Sequence, residues 1–379
     1  MRAEEICTHY SEDPSRFAGA VTPPIFQSSL FTECEGNEGD KEGRYAYTRV
    51  SNPTTEIVEN KVAALEQGEA AKCFSSGMGA ISAAMMHYLK KDSHVVAVAS
   101  IYGPAHRFLA EYMKRFGVAV TFVKGTDTEE IEGAIRENTD LIYLESPSTY
   151  LFLVQDLLKI AEIAKRHHVA TVIDNTYCTP IFQKPLTFGI DMVVHSASKY
   201  LGGHSDIIGG VVIARKEDID QIAQSERELF GAVMSPFDSW LMLRGIRTLP
   251  VRMKQHMANA MEMAAYFQEL PVVKEVIYPW WETHPQYELA KKQMTGASGL
   301  MSVVFDLPGE QIKRIVRELE FFHRGPSWGG FESLISPVGA DLEQDNETMK
   351  KGLVRLHIGL EGADLLKEDF ERAVKNVLG

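Results

Sequence analysis

The segment from Val194 to Tyr200 joins the pattern of a buried strand to side chains that can do chemistry. Its apolar run ends in Ser196 and Ser198, with Lys199 directly after. A protected lysine with a lowered pKa can attack a carbonyl group as a free amine, form a Schiff base and later carry a proton. The two hydroxyl groups are suited to binding a phosphate. Taken alone, a lysine in such a segment is more often a solvated residue of a glycine-containing loop, and it is the strand end and the two features below that favour a Schiff-base role.

The segment Lys72–Ala80 predicts a short strand, a turn of small residues and a helix. Gly77 and Gly79 allow the backbone to approach a ligand closely. The start of the helix offers free N–H groups and the positive end of its dipole, which suit a phosphate. The pattern is neither a Walker loop nor a dinucleotide fingerprint. An ordinary strand–helix turn is the alternative.

A third apolar run begins at Val169 and ends in Asp174. Ligands of open α/β sheets bind beyond the carboxyl ends of strands. A carboxylate in that position can keep a pyridine nitrogen protonated, which makes the ring an electron sink. A turn or helix-cap aspartate is the alternative.

These segments belong to a long alternation of strands and helices, which predicts an α/β fold with a mostly parallel sheet. Seven short apolar runs are typical of strands buried on both faces: 71–74, 94–99, 118–123, 141–145, 170–174, 191–195 and 210–214. Helical patterns lie between them, at 55–67, 79–89, 104–116, 128–138 and 157–167.

The two ends of the chain differ from this alternation. Residues 1–45, including the acidic stretch Glu33–Gly43, predict an extended N-terminal arm. Residues 46–240 form the predicted α/β domain, and residues 241–379 a smaller α+β domain. The latter combines a long helical stretch over 237–270, broken near Pro250, with strands at 300–307 and 353–359 and helices at 309–319 and 364–377.

Composition restricts the partners. The chain has 379 residues and a net charge of −13, which argues against nucleic acid and against anionic membranes. No apolar run has the length of a membrane span and no signal-peptide pattern opens the sequence. Four widely spaced cysteines favour a reducing, cytoplasmic setting. No metal-binding pattern is found.

Together these motifs resemble the Cys/Met-metabolism family of pyridoxal-phosphate enzymes: cystathionine γ-synthase, the cystathionine β- and γ-lyases and methionine γ-lyase. The resemblance runs from about Thr22 to the C-terminus. The similar segments, in family order, are 47–54, 76–79, 174–176, 195–200, 202–206, 235–238, 243–245, 332–334 and 355–361.

The resemblance implies pyridoxal 5′-phosphate as cofactor and a fold of the aspartate aminotransferase type, with a seven-stranded sheet and a smaller C-terminal domain. Lys199 would bind the cofactor covalently and move the proton, and Tyr102 would stack on its ring as a second catalytic residue. Asp174 would pair with the pyridine nitrogen. The implied phosphate ligands are Gly77, Met78, Ser196 and Ser198 and, from the neighbouring subunit, Tyr47 and Arg49.

For the substrate, the resemblance implies a small sulfur amino acid whose α-carboxylate is bound by Arg355, with Ser327 alongside. A bidentate guanidinium suits a carboxylate. Family members usually form dimers of dimers, so a homotetramer is implied.

The subfamily stays open between several activities. The segments 327–330 and 355–359 resemble bacterial cystathionine β-lyases and predict β-elimination to pyruvate, ammonia and a thiol. The segments 174–180, 49–53 and 231–236 resemble methionine γ-lyase instead. γ-Replacement, a plain aminotransferase and a protein that only binds the cofactor are further alternatives.

Three positions depart from the family pattern and bear on substrate choice. Pro326 stands where γ-synthases and cystathionine γ-lyases carry Glu and β-lyases carry Tyr. Val50 replaces a polar or basic residue, and Pro104 replaces the reactive cysteine of methionine γ-lyases. Without a carboxylate at 326, a distal ammonium group would lose one partner.

Overall fold

The computed structural model describes residues 1–32 and 45–379, and a seven-stranded sheet forms its centre. The strand order is β1-β7-β6-β5-β4-β2-β3, and only β7 runs antiparallel to its neighbours. The predicted mostly parallel sheet is therefore confirmed. Its strands are β1 Ala70–Phe74, β2 His94–Val98, β3 Ala119–Val123, β4 Thr139–Glu145, β5 Ala170–Asp174, β6 Met192–Ser196 and β7 Gly210–Ala214.

The helices of this part are α2 Pro53–Glu66, α3 Gly77–Tyr88, α4 Gly103–Arg107, α5 Thr128–Gly133, α6 Leu157–His167, α7 Thr179–Phe182, α8 Lys216–Ile222 and α9 Glu228–Phe230, preceded near the N-terminus by α1 Ala3–Thr8. Four of the connecting helices, α2, α3, α5 and α6, begin at residues whose side chains accept hydrogen bonds from free backbone N–H groups. Asn52 accepts a hydrogen bond from the N–H of Thr54, and Asp156 accepts one from that of Lys159.

Two of the predicted helices differ in the structure. The helix predicted over 104–116 consists of α4, a π-helical turn and a 3₁₀ turn. The helix predicted over 128–138 ends already at Gly133. Glycine weakens a helix by loss of backbone entropy, which accounts for the early end.

The C-terminal part contains a second sheet of five strands in the order β10-β11-β12-β9-β8. The predicted helix break near Pro250 is confirmed, because α10 ends at Arg247 and α11 begins at Leu249. Its elements are α10 Pro236–Arg247, α11 Leu249–Glu269, β8 Val273–Ile277, α12 Tyr287–Gln293, β9 Leu300–Phe305, α13 Gly309–Glu318, β10 His323–Arg324, β11 Leu334–Ser336, β12 Leu353–His357 and α14 Ala363–Leu378.

The prediction of a wholly extended N-terminal arm is wrong for α1. This helix packs on α2, and its Ile6 and Cys7 are buried. The buried ammonium of Lys61 donates hydrogen bonds to the carbonyl oxygens of both residues, at 2.8 and 3.1 Å. The stretch Glu33–Gly43 lies outside the described residues, and the domain boundaries at 45 and 240 stay predictions.

None of the helices in residues 1–32 and 45–379 is long and apolar enough to cross a membrane.

Candidate active site

Three neighbouring strands end at one edge of the large sheet and bring polar residues together there. In the register of the sheet, Glu145 pairs with Asp174 and Asp174 pairs with Val194. Because these strands are parallel, the residues that follow them lie side by side. The antiparallel β7 starts at the same edge, where Gly210 pairs with Ser196.

Lys199 lies in the turn after β6 and is held on two sides. Its ammonium donates a hydrogen bond of 2.7 Å to the hydroxyl of Ser327, and its Nζ lies 5.5 Å from the centre of the Trp328 ring. A Cβ at Gly329 would lie 2.8 Å from Cβ of Lys199, so only glycine allows this loop to pass. Burial, together with the charge of Arg355, lowers the pKa of Lys199 to about 8. The amine is therefore available near neutral pH.

Asp174 is a buried carboxylate whose hydrogen bonds fix its position. It accepts hydrogen bonds from the N–H of Thr176, at 2.9 Å, and from the hydroxyl of the same residue. That hydroxyl in turn accepts the N–H of Ser196 at 2.8 Å, which ties β5 to β6. Burial raises the pKa of Asp174, and the bonds from Thr176 oppose this effect.

The start of α3 lies directly against Ser196. A Cβ at Gly77 would meet Oγ of Ser196 at 2.9 Å, so the missing side chain makes the close approach possible. In the first helical turn, the N–H groups of Gly77 and Met78 have no intrahelical partner. The structure thus places Ser196 against Gly77 at the start of α3. That Gly77, Met78 and Ser196 bind a phosphate stays a prediction.

Ser198 stands beside this group with its hydroxyl already engaged. It accepts the N–H of Gly209 at 3.0 Å and so closes the loop between β6 and β7. The same hydroxyl donates a hydrogen bond of 3.4 Å to the carbonyl oxygen of Gly209.

Tyr102 precedes α4, and 47% of its surface is exposed. Its backbone N–H donates a hydrogen bond of 2.7 Å to Oε2 of Glu145. Sequence analysis treated Glu145 only as the end of a strand. The register that sets it beside Asp174 depends on the sheet and carries no local signal.

Arg355 lies on β12 and is buried, with its charge turned to backbone oxygens. One guanidinium nitrogen donates to the carbonyl oxygen of Pro326 at 2.6 Å, and the group lies 5.6 Å from the centre of the Tyr150 ring. Burial lowers the pKa of Arg355. Sequence analysis did not identify Tyr150 as a neighbour of this residue.

Tyr47 and Arg49 lie apart from these residues, on an exposed segment next to α9. The Arg49 guanidinium lies 5.6 Å from the centre of the Tyr47 ring and 3.5 Å from the carbonyl oxygen of Glu228. Arg227 is buried and donates to the carbonyl oxygens of Arg49 and Val50, which anchors the segment. In the described part of the chain, no hydrogen bond or ion pair connects Tyr47 or Arg49 to Lys199.

A cavity of about 510 Å³ opens at α4 and is lined in part by Tyr150. Its lining includes His106 and Arg107 from α4 together with Thr149, Tyr150 and Pro104. Pro104 also lines the cavity, and its bearing on substrate choice stays a prediction. Val50 is found with Tyr47 and Arg49 instead.

This donor set fits pyridoxal phosphate. A lysine amine with a lowered pKa can bind the aldehyde, and a buried carboxylate can pair with the pyridine nitrogen. The helix start, brought against Ser196 by Gly77, offers N–H and hydroxyl donors to a phosphate. Among the residues that the structure describes, no group of His, Cys, Asp or Glu is arranged to hold a metal ion.

Comparisons with known proteins agree with this arrangement. A family model described as "Cys/Met metabolism PLP-dependent enzyme" matches residues 4–375. A cystathionine gamma-lyase of Bacillus subtilis is 38% identical, over 100% of both chains. An L-methionine gamma-lyase of Fusobacterium nucleatum is 39% identical, over 95% of this chain and 94% of the relative.

Two further proteins are similar over nearly their whole length. A cystathionine beta-lyase of Coxiella burnetii is 38% identical, over 97% of this chain and 96% of the relative. The crystal structure of metB from Corynebacterium glutamicum has a TM-score of 0.93 at 33% identity, covering 99% of this chain and 98% of that chain.

Proposed function

Because the chain belongs to the Cys/Met-metabolism family of pyridoxal-phosphate-dependent enzymes, we propose that it is a carbon–sulfur lyase acting by β-elimination. Its substrate would be a cysteine thioether of the L-cystathionine type. With one water molecule, such a substrate yields pyruvate, ammonia and a thiol. The bond between Cβ and sulfur breaks, and the thiolate leaves with the electron pair.

The cofactor would be held by the residues at the sheet edge. Lys199 would bind it covalently, Asp174 would pair with its pyridine nitrogen and Tyr102 would cover its ring. Its phosphate would be bound by Gly77, Met78, Ser196 and Ser198. When bound, pyridoxal phosphate supplies an electron-withdrawing ring that stabilises negative charge at the α-carbon of the substrate.

The hydrogen bond of 2.7 Å between Lys199 and Ser327 is the observation that carries the proposal of β-elimination. β-Elimination needs the removal of one proton, at Cα, whereas γ-elimination needs a second one at Cβ. An amine that is held by Ser327 and lies against Trp328 has little freedom to move between two carbon atoms. This supports a single proton transfer at Cα, with Nζ of Lys199 as the base.

Arg355 would bind the α-carboxylate of the substrate. The hydrogen bonds that are found for it use only Nη2, which leaves N–H donors for a ligand. A buried guanidinium binds a carboxylate in a fixed, bidentate geometry. The substrate would thereby be oriented with Cα towards Lys199.

The cavity lined by Tyr150, His106 and Arg107 would receive the group on the substrate sulfur. Its volume of about 510 Å³ exceeds the need of a methyl group. His106 and Arg107 make part of its wall polar, which suits a substituent with a carboxylate. This favours a cystathionine-like thioether over methionine.

γ-Elimination is the second candidate activity. The relatives named as gamma-lyases are 38% and 39% identical to this chain, as similar as the one named beta-lyase at 38%. The residues proposed to bind the cofactor would serve both activities. Product identity is therefore the property that separates the two.

We also propose a homotetramer in which Tyr47 and Arg49 reach the cofactor phosphate of the neighbouring subunit. Their exposed position, away from Lys199 of the same chain, supports this arrangement.

The test of the activity is a product assay on purified, cofactor-loaded enzyme, with L-cystathionine and L-methionine offered separately and the keto acid identified by mass. Pyruvate and homocysteine from cystathionine are expected. 2-Oxobutyrate from either substrate would show that the enzyme acts by γ-elimination, and the proposed β-elimination would be wrong. The variant Lys199→Ala is the control and should release neither keto acid.

A further inference from the structure

Glu145 and Asp174 are two carboxylates at the ends of neighbouring strands, and only Asp174 has a role in the proposed function. Their backbones pair directly in the sheet. Parallel neighbours of this kind lie about 5 Å apart. Two like charges at this distance repel each other, so the presence of the second carboxylate indicates a separate role for it.

Its contacts link Glu145 to Tyr102. Oε2 accepts the backbone N–H of Tyr102 at 2.7 Å. Thr149 interacts with the same carboxyl group and lowers its pKa, against the effect of burial. Thr149 is itself fixed, because its N–H donates to the carbonyl oxygen of Ser100 at 3.0 Å. The carboxyl group therefore has a defined position relative to β4.

Tyr102, in contrast, has little support. It lies in a short connection between β2 and the five-residue helix α4, and nearly half of its surface is exposed. A ring in such a loop needs a fixed backbone if it is to lie over a particular point. The bond to Glu145 supplies that fixed point.

We propose that Glu145 is a positioning residue that sets the separation between the Tyr102 ring and Asp174. This inference rests on the proposed cofactor site. In that site, Glu145 would determine the width of the gap that holds the pyridine ring. Asp174 would contact the edge of that ring and Tyr102 its face. Thr176 holds Asp174 in place, so the gap depends on how Glu145 holds the backbone of Tyr102.

Position rather than charge is the relevant property of Glu145. Burial, followed by the neighbouring charge of Asp174, raises the pKa of Glu145 well above its ordinary value. A neutral carboxyl group still accepts the N–H of Tyr102 through an oxygen. Glutamine offers such an oxygen at the same distance, whereas aspartate keeps the acid but withdraws it by one methylene group.

The test measures the binding of pyridoxal phosphate to the apoenzyme, with visible circular dichroism as a report on the ring. Glu145→Asp and Glu145→Ala should bind about tenfold more weakly, since each loses a charge-assisted or neutral hydrogen bond of ordinary strength. Both variants should also lose most of the visible circular dichroism of the bound cofactor. The conservative variant Glu145→Gln should retain the affinity and the dichroism.

Glu130→Ala is the matched control. The carboxyl group of Glu130 also accepts backbone N–H groups after a strand of the same sheet, those of Lys124 and Gly125 at 3.1 and 3.2 Å. It lies outside the site, so its loss should affect thermal stability without changing cofactor affinity.

Wild-type affinity and dichroism in Glu145→Asp would overturn the proposal, as would a Glu145→Gln protein as defective as Glu145→Ala. If Glu145→Ala does not fold, the pair of Asp and Gln variants decides alone. A wild-type protein that binds the cofactor yet releases no keto acid would contradict the proposed activity and leave this inference standing.

Discussion

At the scale of single residues, the surroundings of Lys199 set its pKa well below that of an ordinary lysine side chain. Burial is the larger cause of its lowered pKa of about 8, and the positive charge of Arg355 is the next. A nearby positive charge disfavours a second one. Removing the Arg355 charge must therefore raise the pKa of Lys199.

The variant Arg355→Gln tests this sign. The rate at which apoenzyme captures pyridoxal phosphate should rise with pH through a midpoint near the pKa of Lys199, about 8 in the wild type. In the variant the midpoint should move to higher pH. Arg317→Gln, on the exposed side of α13, should leave it unchanged. A midpoint that stays or falls would contradict the assigned cause.

Ser327→Ala removes the hydroxyl that accepts the hydrogen bond from Lys199 at 2.7 Å. With the lysine less well held, kcat should fall about 10- to 100-fold while KM changes little, since a bond to a charged group is worth roughly 1.5–3 kcal/mol. Steady-state kinetics with the preferred thioether measure both constants. Ser225→Ala, whose hydroxyl bonds to Gln221 in its own helical segment, is the control.

The opposite kinetic pattern would be equally informative. A raised KM with unchanged kcat would mean that Ser327 binds the substrate, as the family resemblance implies, and does not orient the lysine.

At the scale of elements, the sequence predicted the parts whose pattern is local. Each of the seven strands of the large sheet was located to within two residues, because a run of Val and Ile without polar alternation is typical of a strand buried on both faces. Lys199 and Asp174 follow directly from this, since they come right after such strands.

The elements that were missed are those whose existence depends on a distant partner. β11 has three residues and is defined by its pairing with β12. β8 lies at the sheet edge and carries two adjacent charged residues, Lys274 and Glu275. The role of Glu145 was missed for the same reason, because Glu145 lies beside Asp174 only through the register of β4 with β5. No local pattern reports such a pairing.

The N-terminal helix α1 is a further case, because a buried ion pair completes its attachment. Lys61 on α2 has a fully buried side chain that bonds to two carbonyl oxygens of this segment and lies 2.9 Å from Oε1 of Glu12. The other oxygen of Glu12 pairs with Arg247 on α10. Two polar residues thus fasten an otherwise polar segment.

Glu12→Ala would leave the Lys61 ammonium buried without a counter-charge. The free energy of unfolding should drop by about 3–5 kcal/mol, the usual cost of breaking a buried pair from one side. Urea denaturation of the apoenzyme measures it. The control Glu310→Ala removes an exposed partner of Lys313 and should cost less than about 1 kcal/mol. Equal losses in the two variants would contradict the assigned role of Glu12.

At the scale of the whole molecule, the segment with Tyr47 and Arg49 borders an apolar surface. Leu229 and Phe230 on α9 are 75% and 65% exposed, and Val50 is 42% exposed. Large exposed apolar residues in one region are typical of contacts between proteins. This is compatible with the homotetramer that we propose, an arrangement that one chain alone does not reveal.

Mixing two defective variants tests whether the site is shared between subunits. Lys199→Ala and Arg49→Ala should each be nearly inactive alone. In a hybrid dimer, one site combines the intact Lys199 of one subunit with the intact Arg49 of the other. Random pairing should then restore about one quarter of the wild-type sites in a twofold dimer.

The pair Lys199→Ala and Asp174→Ala provides the matched control, because both residues belong to the same side of a site. Each hybrid site then carries one defect, so mixing should restore nothing. Activity must be measured after co-expression, so that subunits can pair during assembly. If the first mixture stays as inactive as the second, Arg49 acts within its own chain or not at all, and the shared site is excluded.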